Sequence, residues 1–282
     1  MEFHEYQSPA AILRDTSVFL ERQEVLHNLP LGLLRQLQWE EEQGKKPSAF
    51  LAAGFSGSRP EVILLQTPPR KMIVCGTSSG LKEAAAWLHH RSVVLPGIVG
   101  CMEAADTFAG AWESITGTKA VLTKQQIIYN ITGHAAMPDI PGKLTYASED
   151  DAALVMDWTE TFALGSLRQE DVNTLEETVM REIRRNQVYF WRDPDYTPVS
   201  MAKKARDLTN GVVVNYVYTP EEYARRGYAA ACVAALTERL MREGYEFCSV
   251  NTDADHQASK ALYEKLGYTE AGISREYEFK QQ

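Results

Sequence analysis

The sequence is poor in the features that mark secreted and membrane-spanning proteins. Its 282 residues include four cysteines, Cys75, Cys101, Cys232 and Cys248, none in a CxxC pair. We therefore expect reduced, buried thiols rather than a zinc site or a disulfide framework. No apolar run approaches the roughly 20 residues that span a bilayer. Residues 1–11 lack a basic stretch followed by an apolar one, so no signal peptide is predicted.

Positive charge is also scarce. The chain has 29 Lys and Arg against 38 Asp and Glu, a net charge of −9. Nucleic-acid binding needs excess Lys and Arg to neutralise phosphates, so the composition argues against that class. Hydrophobic residues make up 44% and charged residues 24%, the balance of a folded globular protein. We expect a cytoplasmic protein with no nucleic-acid or membrane partner.

A segment rich in proline and glycine divides the chain. Residues 133–143 read GHAAMPDIPGK, a composition typical of a loop or linker. A chain of this length accommodates two domains, and we place them at residues 1–138 and 139–282. In the first half, periodicity predicts a helical opening, three strands, and a bent strand between two helices. The corresponding residues are 13–37, then 49–55, 61–65 and 71–74, then 78–90, 92–99 and 102–115.

The second half alternates strands and helices around one mixed sheet, which predicts an α/β fold. Ser148 and Asp151 resemble a capping box before the first helix. The predicted strands are 144–147, 188–192, 198–203, 211–219, 245–251 and 275–279. The predicted helices are 151–164, 169–185, 227–243 and 256–266.

The clearest chemical signal is the strand–turn–helix at residues 212–243. Small residues crowd the start of its helix, and Arg225 and Arg226 lie beside them. Free backbone N–H groups and the helix dipole bind phosphate, and small side chains let the phosphate approach. The alternative is a solvated helix start with a packing glycine. The small residues are Ala224, Gly227, Ala229, Ala230 and Ala231.

Two motifs resemble the GNAT superfamily of acetyl-CoA-dependent N-acetyltransferases. The family's pyrophosphate loop is Arg/Gln-x-x-Gly-x-Gly/Ala, and residues 224–229 read ARRGYA, with Ala224 at the first position. The family's next helix carries Asn-x-x-Ser/Ala-x-x-Leu-Tyr-x-x-x-Gly-Phe/Tyr. Residues 256–268 read HQASKALYEKLGY, with His256 in place of Asn.

The resemblance implies a fold and a co-substrate. Two GNAT-like domains are expected, each a mixed, mostly antiparallel twisted sheet flanked by helices. The first looks degenerate, as in a bacterial subgroup of acetyltransferases, and the motifs cover about residues 144–280. Acetyl-CoA is the implied co-substrate, and no metal is expected. The implied cofactor-binding residues are Val217, Tyr218, Thr219, Ala224, Arg225, Arg226, Gly227, Tyr228, Ala229, Ala230, His256 and Ser259.

The resemblance also implies a reaction. The strand at 217–219 would bind pantetheine and polarise the thioester carbonyl, an amine of a small molecule or peptide would attack directly, and Tyr263 would protonate the leaving thiolate. The first half would shape the acceptor pocket or form a homo-oligomer contact. Glu221, Glu222 and His256 are candidates for the general base, and none is assigned. A non-catalytic acyl-CoA-binding sensor and O-acylation or another acyl chain remain alternatives.

Overall fold

The computed structural model describes residues 1–46, 48–163 and 174–281. They form two compact units. The first comprises Met1–Tyr129, Asn251–Gln257 and the chain from Glu270 onward, and the second comprises Asn130–Val250 and Ala258–Thr269. The boundary at 138/139 stays a prediction, because these compact units interleave along the sequence.

The first unit is a sheet flanked by helices. Its strand order is β1-β2-β3-β4-β5-β12-β6. The pairs from β1 to β4 and the pair of β5 with β12 are antiparallel, and β4 and β5 run parallel. Phe108 and Trp112 pack with Leu81 and Leu88 in the core on one face of this sheet. The elements are β1 (Glu2–Tyr6), α1 (Pro9–Glu21), α2 (Asn28–Glu42), β2 (Phe50–Ser56), β3 (Arg59–Gln66), β4 (Met72–Gly76), α3 (Ser78–His90), β5 (Gly97–Cys101), α4 (Met102–Thr116), β6 (Lys119–Ile131) and β12 (Thr269–Lys280).

The second unit has the strand order β11-β10-β9-β8-β7, in which only β10 and β11 are parallel. Val155, Trp158 and Val179 of two helices pack on Phe190 and Met201 of the sheet. The elements are β7 (Lys143–Tyr146), α5 (Ala152–Phe162), α6 (Leu175–Arg184), β8 (Val188–Arg192), β9 (Pro198–Asp207), β10 (Gly211–Tyr218), α7 (Tyr228–Arg242), β11 (Phe247–Asp253) and α8 (Gln257–Lys265).

Most predicted elements are confirmed, including the capping box. The backbone N–H of Ser148 donates to Asp151 Oδ2 (2.8 Å), and a 3-10 turn there leads into α5. This carboxylate also accepts from Arg192 of β8 at 2.8 and 2.9 Å, which ties the helix to the sheet. The predicted helix at 169–185 begins outside the described residues, and its described part is α6.

Several first-half predictions are wrong. The strand predicted at 92–99 begins only at Gly97, because Ser92 has a φ of +55° and closes the end of α3. The helix predicted at 78–90 is α3, and Thr77 caps it. The short strand β1 and the long strand β6 were missed. Both carry polar side chains on exposed faces, so their apolar patterns are weak.

The last strand also departs from the expectation of one sheet built from the second half. β12 lies between β5 and β6, both strands of the first half. It pairs antiparallel with β5 from Ser274/Cys101 to Glu278/Gly97. A Cβ at Gly97 would lie 2.1 Å from the Tyr277 carbonyl oxygen, so this close approach requires glycine.

All four cysteines are unpaired, as predicted, and Cys101 is only half-buried while the other three are buried. Burial raises the pKa of the Cys232 thiol to about 12, so it stays protonated near neutral pH. Within residues 1–46, 48–163 and 174–281, no helix is long and apolar enough to cross a membrane.

Candidate active site

The strand β10 changes course halfway along its length. Its parallel pairing with β11 runs from Gly211/Phe247 to Val214/Val250 and, in the described residues, ends there. Its pairing with β9 shifts register between Asn215 and Tyr218. Tyr216 has a φ of +51°, and its N–H donates to Oδ1 of Asn215 (2.8 Å). These are the features of a β-bulge, which bends a strand and re-aims its side chains.

The three predicted pantetheine-binding residues follow this bulge and are half-buried. The Tyr218 carbonyl accepts a hydrogen bond from the Ser200 hydroxyl (3.1 Å). The Thr219 hydroxyl donates in turn to Ser200 Oγ (2.9 Å). β9 therefore holds the end of β10 in place, while the backbone of Val217 lies between the bulge and this contact.

The loop after β10 presents a helix N-terminus that no described side chain caps. The chain makes a 3-10 turn at Glu221–Tyr223 and takes left-handed conformations at Arg225 (φ +61°) and Gly227 (φ +84°). Gly227 is the N-cap of α7 and has no side chain to offer. The N–H groups of the first helical residues, 228–230, thus have no acceptor within the helix.

Gly227 is required by two features of the structure. Its positive φ is strained for any other residue, and a Cβ there would lie 2.9 Å from Ile140 Cδ1. Arg225 and Arg226 are exposed beside it, and the Arg226 guanidinium lies 5.9 Å from the centre of the Tyr223 ring. Uncapped amides, the helix dipole and two cations are a combination that attracts phosphate.

Tyr263 lies on α8 with its side chain buried. Its ring contacts that of Tyr268 (centroids 5.8 Å apart), and the Tyr268 hydroxyl is 2.6 Å from Oγ1 of Thr237 on α7. Burial raises the pKa of Tyr263, so the phenol keeps its proton across the physiological range. The structure thus joins the predicted acid to the helix that carries the loop.

The other two predicted residues of the second motif differ in burial. Ser259 is half-buried on α8, one helical turn before Tyr263. His256 is exposed, precedes α8 and belongs to the segment Asn251–Gln257 of the first unit. Its N–H donates to the Asp253 carbonyl (3.1 Å).

Two carboxylates act on the end of β10, and only Glu222 was a candidate from the sequence. The pKa of Tyr218 is raised, first by burial and then by the negative charges of Asp157 and Glu222, while a hydrogen bond with Thr161 opposes the rise. Asp157 is on α5 and is exposed. Sequence spacing gave no signal for it, because the contact joins residues about sixty positions apart.

The bulge at Asn215–Tyr216 was also missed, although one signal was present. Asn215 interrupts a run of β-branched and aromatic residues. Asn is depleted in strands, and its short polar side chain bonds readily to neighbouring backbone. Here it accepts the N–H of the left-handed residue that follows it.

Comparison with known proteins agrees with this architecture. Residues 199–279 match the model of the family described as FR47-like protein. An acetyltransferase of the GNAT family from Colwellia psychrerythraea is 12% identical with a TM-score of 0.64, over 99% of this chain and 100% of that one. A tandem GNAT protein from the clavulanic acid biosynthesis pathway is 11% identical with a TM-score of 0.56, over 98% of both chains. The chain has a tandem GNAT fold.

The same fold occurs in a GCN5-related N-acetyltransferase from Sphaerobacter thermophilus, 15% identical with a TM-score of 0.59 over 98% of this chain and 94% of that one. No curated protein matches the sequence. The GNAT resemblance and the predicted fold class are confirmed. The site residues stay predictions, placed on the GNAT fold as described above.

Proposed function

We propose that the protein is an acyl-CoA-dependent N-acyltransferase that transfers an acetyl group from acetyl-CoA to an amine. The observation that carries this proposal is the uncapped N-terminus of α7 at Gly227. It follows the strand β10, whose parallel pairing with β11 ends at Val214 in the described residues. A cytoplasmic location and a homo-oligomer contact of the first half stay predictions.

The loop would hold the pyrophosphate of the co-substrate. The N–H groups of residues 228–230 supply donors, and Arg225 and Arg226 supply charge. The backbone of 217–219, freed from β11, would pair with the pantetheine arm, and His256 and Ser259 are proposed as further contacts.

The proposed chemistry is a direct attack within a ternary complex. The amine must be neutral, and a Lys-type amine has an unperturbed pKa of about 10.4, so a base or water has to take a proton. The amine nitrogen then bonds to the thioester carbonyl carbon, and the carbon–sulfur bond breaks. The leaving thiolate takes the phenolic proton of Tyr263, which burial keeps in place at neutral pH.

A non-catalytic acyl-CoA-binding protein is the second candidate. The loop has Ala224 where the family has Arg or Gln, and this residue brings no charge to the phosphate. A binding protein would take up acetyl-CoA without releasing its thiol in the presence of any amine. Product mass would give the acyl chain length, and fragmentation of the product would separate N-acylation from O-acylation.

The test is calorimetric titration of acetyl-CoA into the wild type, Gly227→Glu and Gly244→Glu. Gly244 has a φ of +102° just after the other end of α7, with no atom within 4 Å of an added Cβ. Both substitutions therefore add a side chain at a positive φ and one negative charge, but only Gly227→Glu places them at the helix N-terminus, where its Cβ also lies 2.9 Å from Ile140 Cδ1. We expect micromolar binding, about −8 kcal/mol, by the wild type and Gly244→Glu, and none by Gly227→Glu.

Folded wild-type protein that does not bind acetyl-CoA would contradict the proposal. Equal loss of binding in both variants would mean that strain, rather than the phosphate site, caused the loss.

A further inference from the structure

Arg206 on β9 has a shielded side-chain nitrogen that makes no hydrogen bond within the described residues. Arg206 pairs with Val213 of β10, and its Nε is shielded from solvent without a hydrogen-bond partner. No ion pair joins its guanidinium to a carboxylate within the described part of the chain. Burial lowers the pKa of Arg206 to about 10, although the nearby Tyr216 opposes this shift.

A second cation on the same face is fully partnered. The Lys203 ammonium donates to Thr159 Oγ1 and to Glu182 Oε2, both at 2.9 Å. Lys203 pairs with Asn215 of β10, as Arg206 does with Val213, so the register places both side chains on the face covered by α5 and α6. Glu182 is therefore engaged by Lys203, and no ion pair neutralises Arg206 among the described residues.

This charge lies at the bend of the proposed thioester-binding strand. Arg206 interacts electrostatically with Tyr216, the left-handed residue of the bulge. The Tyr216 ring also receives the Lys203 ammonium at 4.5 Å and the Phe162 ring at 5.0 Å. Val217, where binding of the thioester is proposed to begin, is the next residue along the strand.

A guanidinium nitrogen that is shielded from water and makes no hydrogen bond, as Arg206 Nε is among the described residues, is costly to keep in a folded protein. The planar fork of the guanidinium matches a carboxylate, which would repay that cost when it binds. We propose that Arg206 binds a carboxylate of the acyl acceptor, so that the acceptor is an amine that also carries a carboxylate, such as an α-amino acid. The inference rests on the proposed function and names its substrate class.

The first experiment compares α-amino acids with their carboxamides as acceptors, by following thiol release from acetyl-CoA. We expect the wild type to prefer the acids by roughly 10- to 100-fold in kcat/KM, the range for one charge-assisted contact. Arg206→Met should remove this preference and keep the Kd for acetyl-CoA. Lys204→Gln is the matched control, because Lys204 lies on the opposite face, bound to Asp207 at 2.8 Å, and its loss should leave the preference unchanged.

Stability separates a binding role from a structural one. Arg206→Met removes a half-buried charge that has no ion-pair partner in the described part of the chain, so its Tm should equal or exceed that of the wild type. A large drop in Tm would identify a structural arginine and overturn the proposal. Equal use of acids and amides by an active wild type, or a preference that survives in Arg206→Met, would overturn it as well.

A second measurement does not depend on turnover. Each amino acid and its amide are titrated calorimetrically into protein saturated with CoA. Binding of the acid alone, lost in Arg206→Met, is the expected result, and equal or absent binding contradicts it. A protein that binds CoA and the acid without any thiol release would contradict the transferase but not the Arg206 site.

Discussion

The two units contain the same succession of elements and differ in how the helix after the first strand begins. In the first unit β4, α3, β5 and α4 follow one another, and in the second β10, α7, β11 and α8. Thr77 caps α3, accepting the N–H of Gly80 (3.3 Å), whereas Gly227 leaves the amides of α7 uncapped. In the first unit the Thr77 hydroxyl thus accepts one of the backbone N–H groups at the start of α3, whereas the N–H groups at the start of α7 have no such cap.

The two units also differ in how closely their parallel strands stay paired. A Cβ at Gly100 of β5 would lie 2.4 Å from the Val74 carbonyl oxygen, so β4 and β5 stay in close contact. β10 instead leaves β11 after Val214. β4 and β5 therefore stay together where β10 and β11 separate, and the close approach at Gly100 leaves no equivalent gap in the first unit.

The helices α8 and α4 differ by one hydroxyl group at corresponding positions. Tyr263 is the seventh residue of α8, and Phe108 is the seventh residue of α4. Tyr263→Phe therefore makes the second unit resemble the first. We expect kcat to fall by roughly 100- to 10,000-fold, the range for loss of a general acid, with the Kd for acetyl-CoA unchanged. Steady-state kinetics with calorimetry checks this, and a variant with wild-type kcat would remove Tyr263 from the reaction.

The Arg–Asp pairs that tie helix to sheet differ in exposure. In the second unit the Arg192 and Asp151 side chains are 10% and 15% exposed, and in the first those of Arg275 and Asp106 are 25% and 39% exposed. Asp151→Asn should lower the free energy of unfolding by about 3 kcal/mol because it leaves a buried charge without its partner. Asp106→Asn should cost under about 1 kcal/mol. Urea denaturation of both variants measures the difference, and equal costs would contradict it.

The same pair gives a pH dependence. Burial alone would raise the pKa of Asp151, but hydrogen bonds from Ser148 and Arg192 hold it below its usual value. The carboxylate therefore stabilises the fold above its unfolded pKa of about 3.9, and this contribution is lost as pH falls through the lower folded value. The stability gap between wild type and Asp151→Asn should narrow from pH 5 to pH 2. A gap that stays constant over this range would assign the cost to packing.

The smallest effect is expected at the cap of the first unit. Thr77→Gly exposes the amides of α3 and should cost at most about 1 kcal/mol. It should create no second acetyl-CoA site, because the start of α3 is too closely packed to admit a phosphate. A Cβ added at Gly80 would lie 2.4 Å from Val62 Cγ2 and 3.0 Å from Met1 Cε. Calorimetry should give one site per chain before and after the change. A stoichiometry of two would contradict the prediction that the first unit has no room for acetyl-CoA.

The sequence alone determined the elements whose signals are local. Runs of apolar, β-branched and aromatic residues predicted β2, β3, β8 and β10, and glycine after a β-branched strand, followed by small residues, predicted the start of α7. The LYEKLGY segment located α8 and its tyrosine. These signals depend on residues within a few positions of one another, so a pattern in the chain is sufficient to reveal them.

The contacts between distant segments could be seen only in the tertiary structure. It placed β12 between β5 and β6, bent β10 at Tyr216, set Asp157 near Tyr218, and left Arg206 Nε without a hydrogen-bond partner among the described residues. Each outcome depends on partners from remote parts of the chain, and the lack of a partner at Arg206 has no local signature. Strand order and charge balance at a site result from packing, which no single segment encodes.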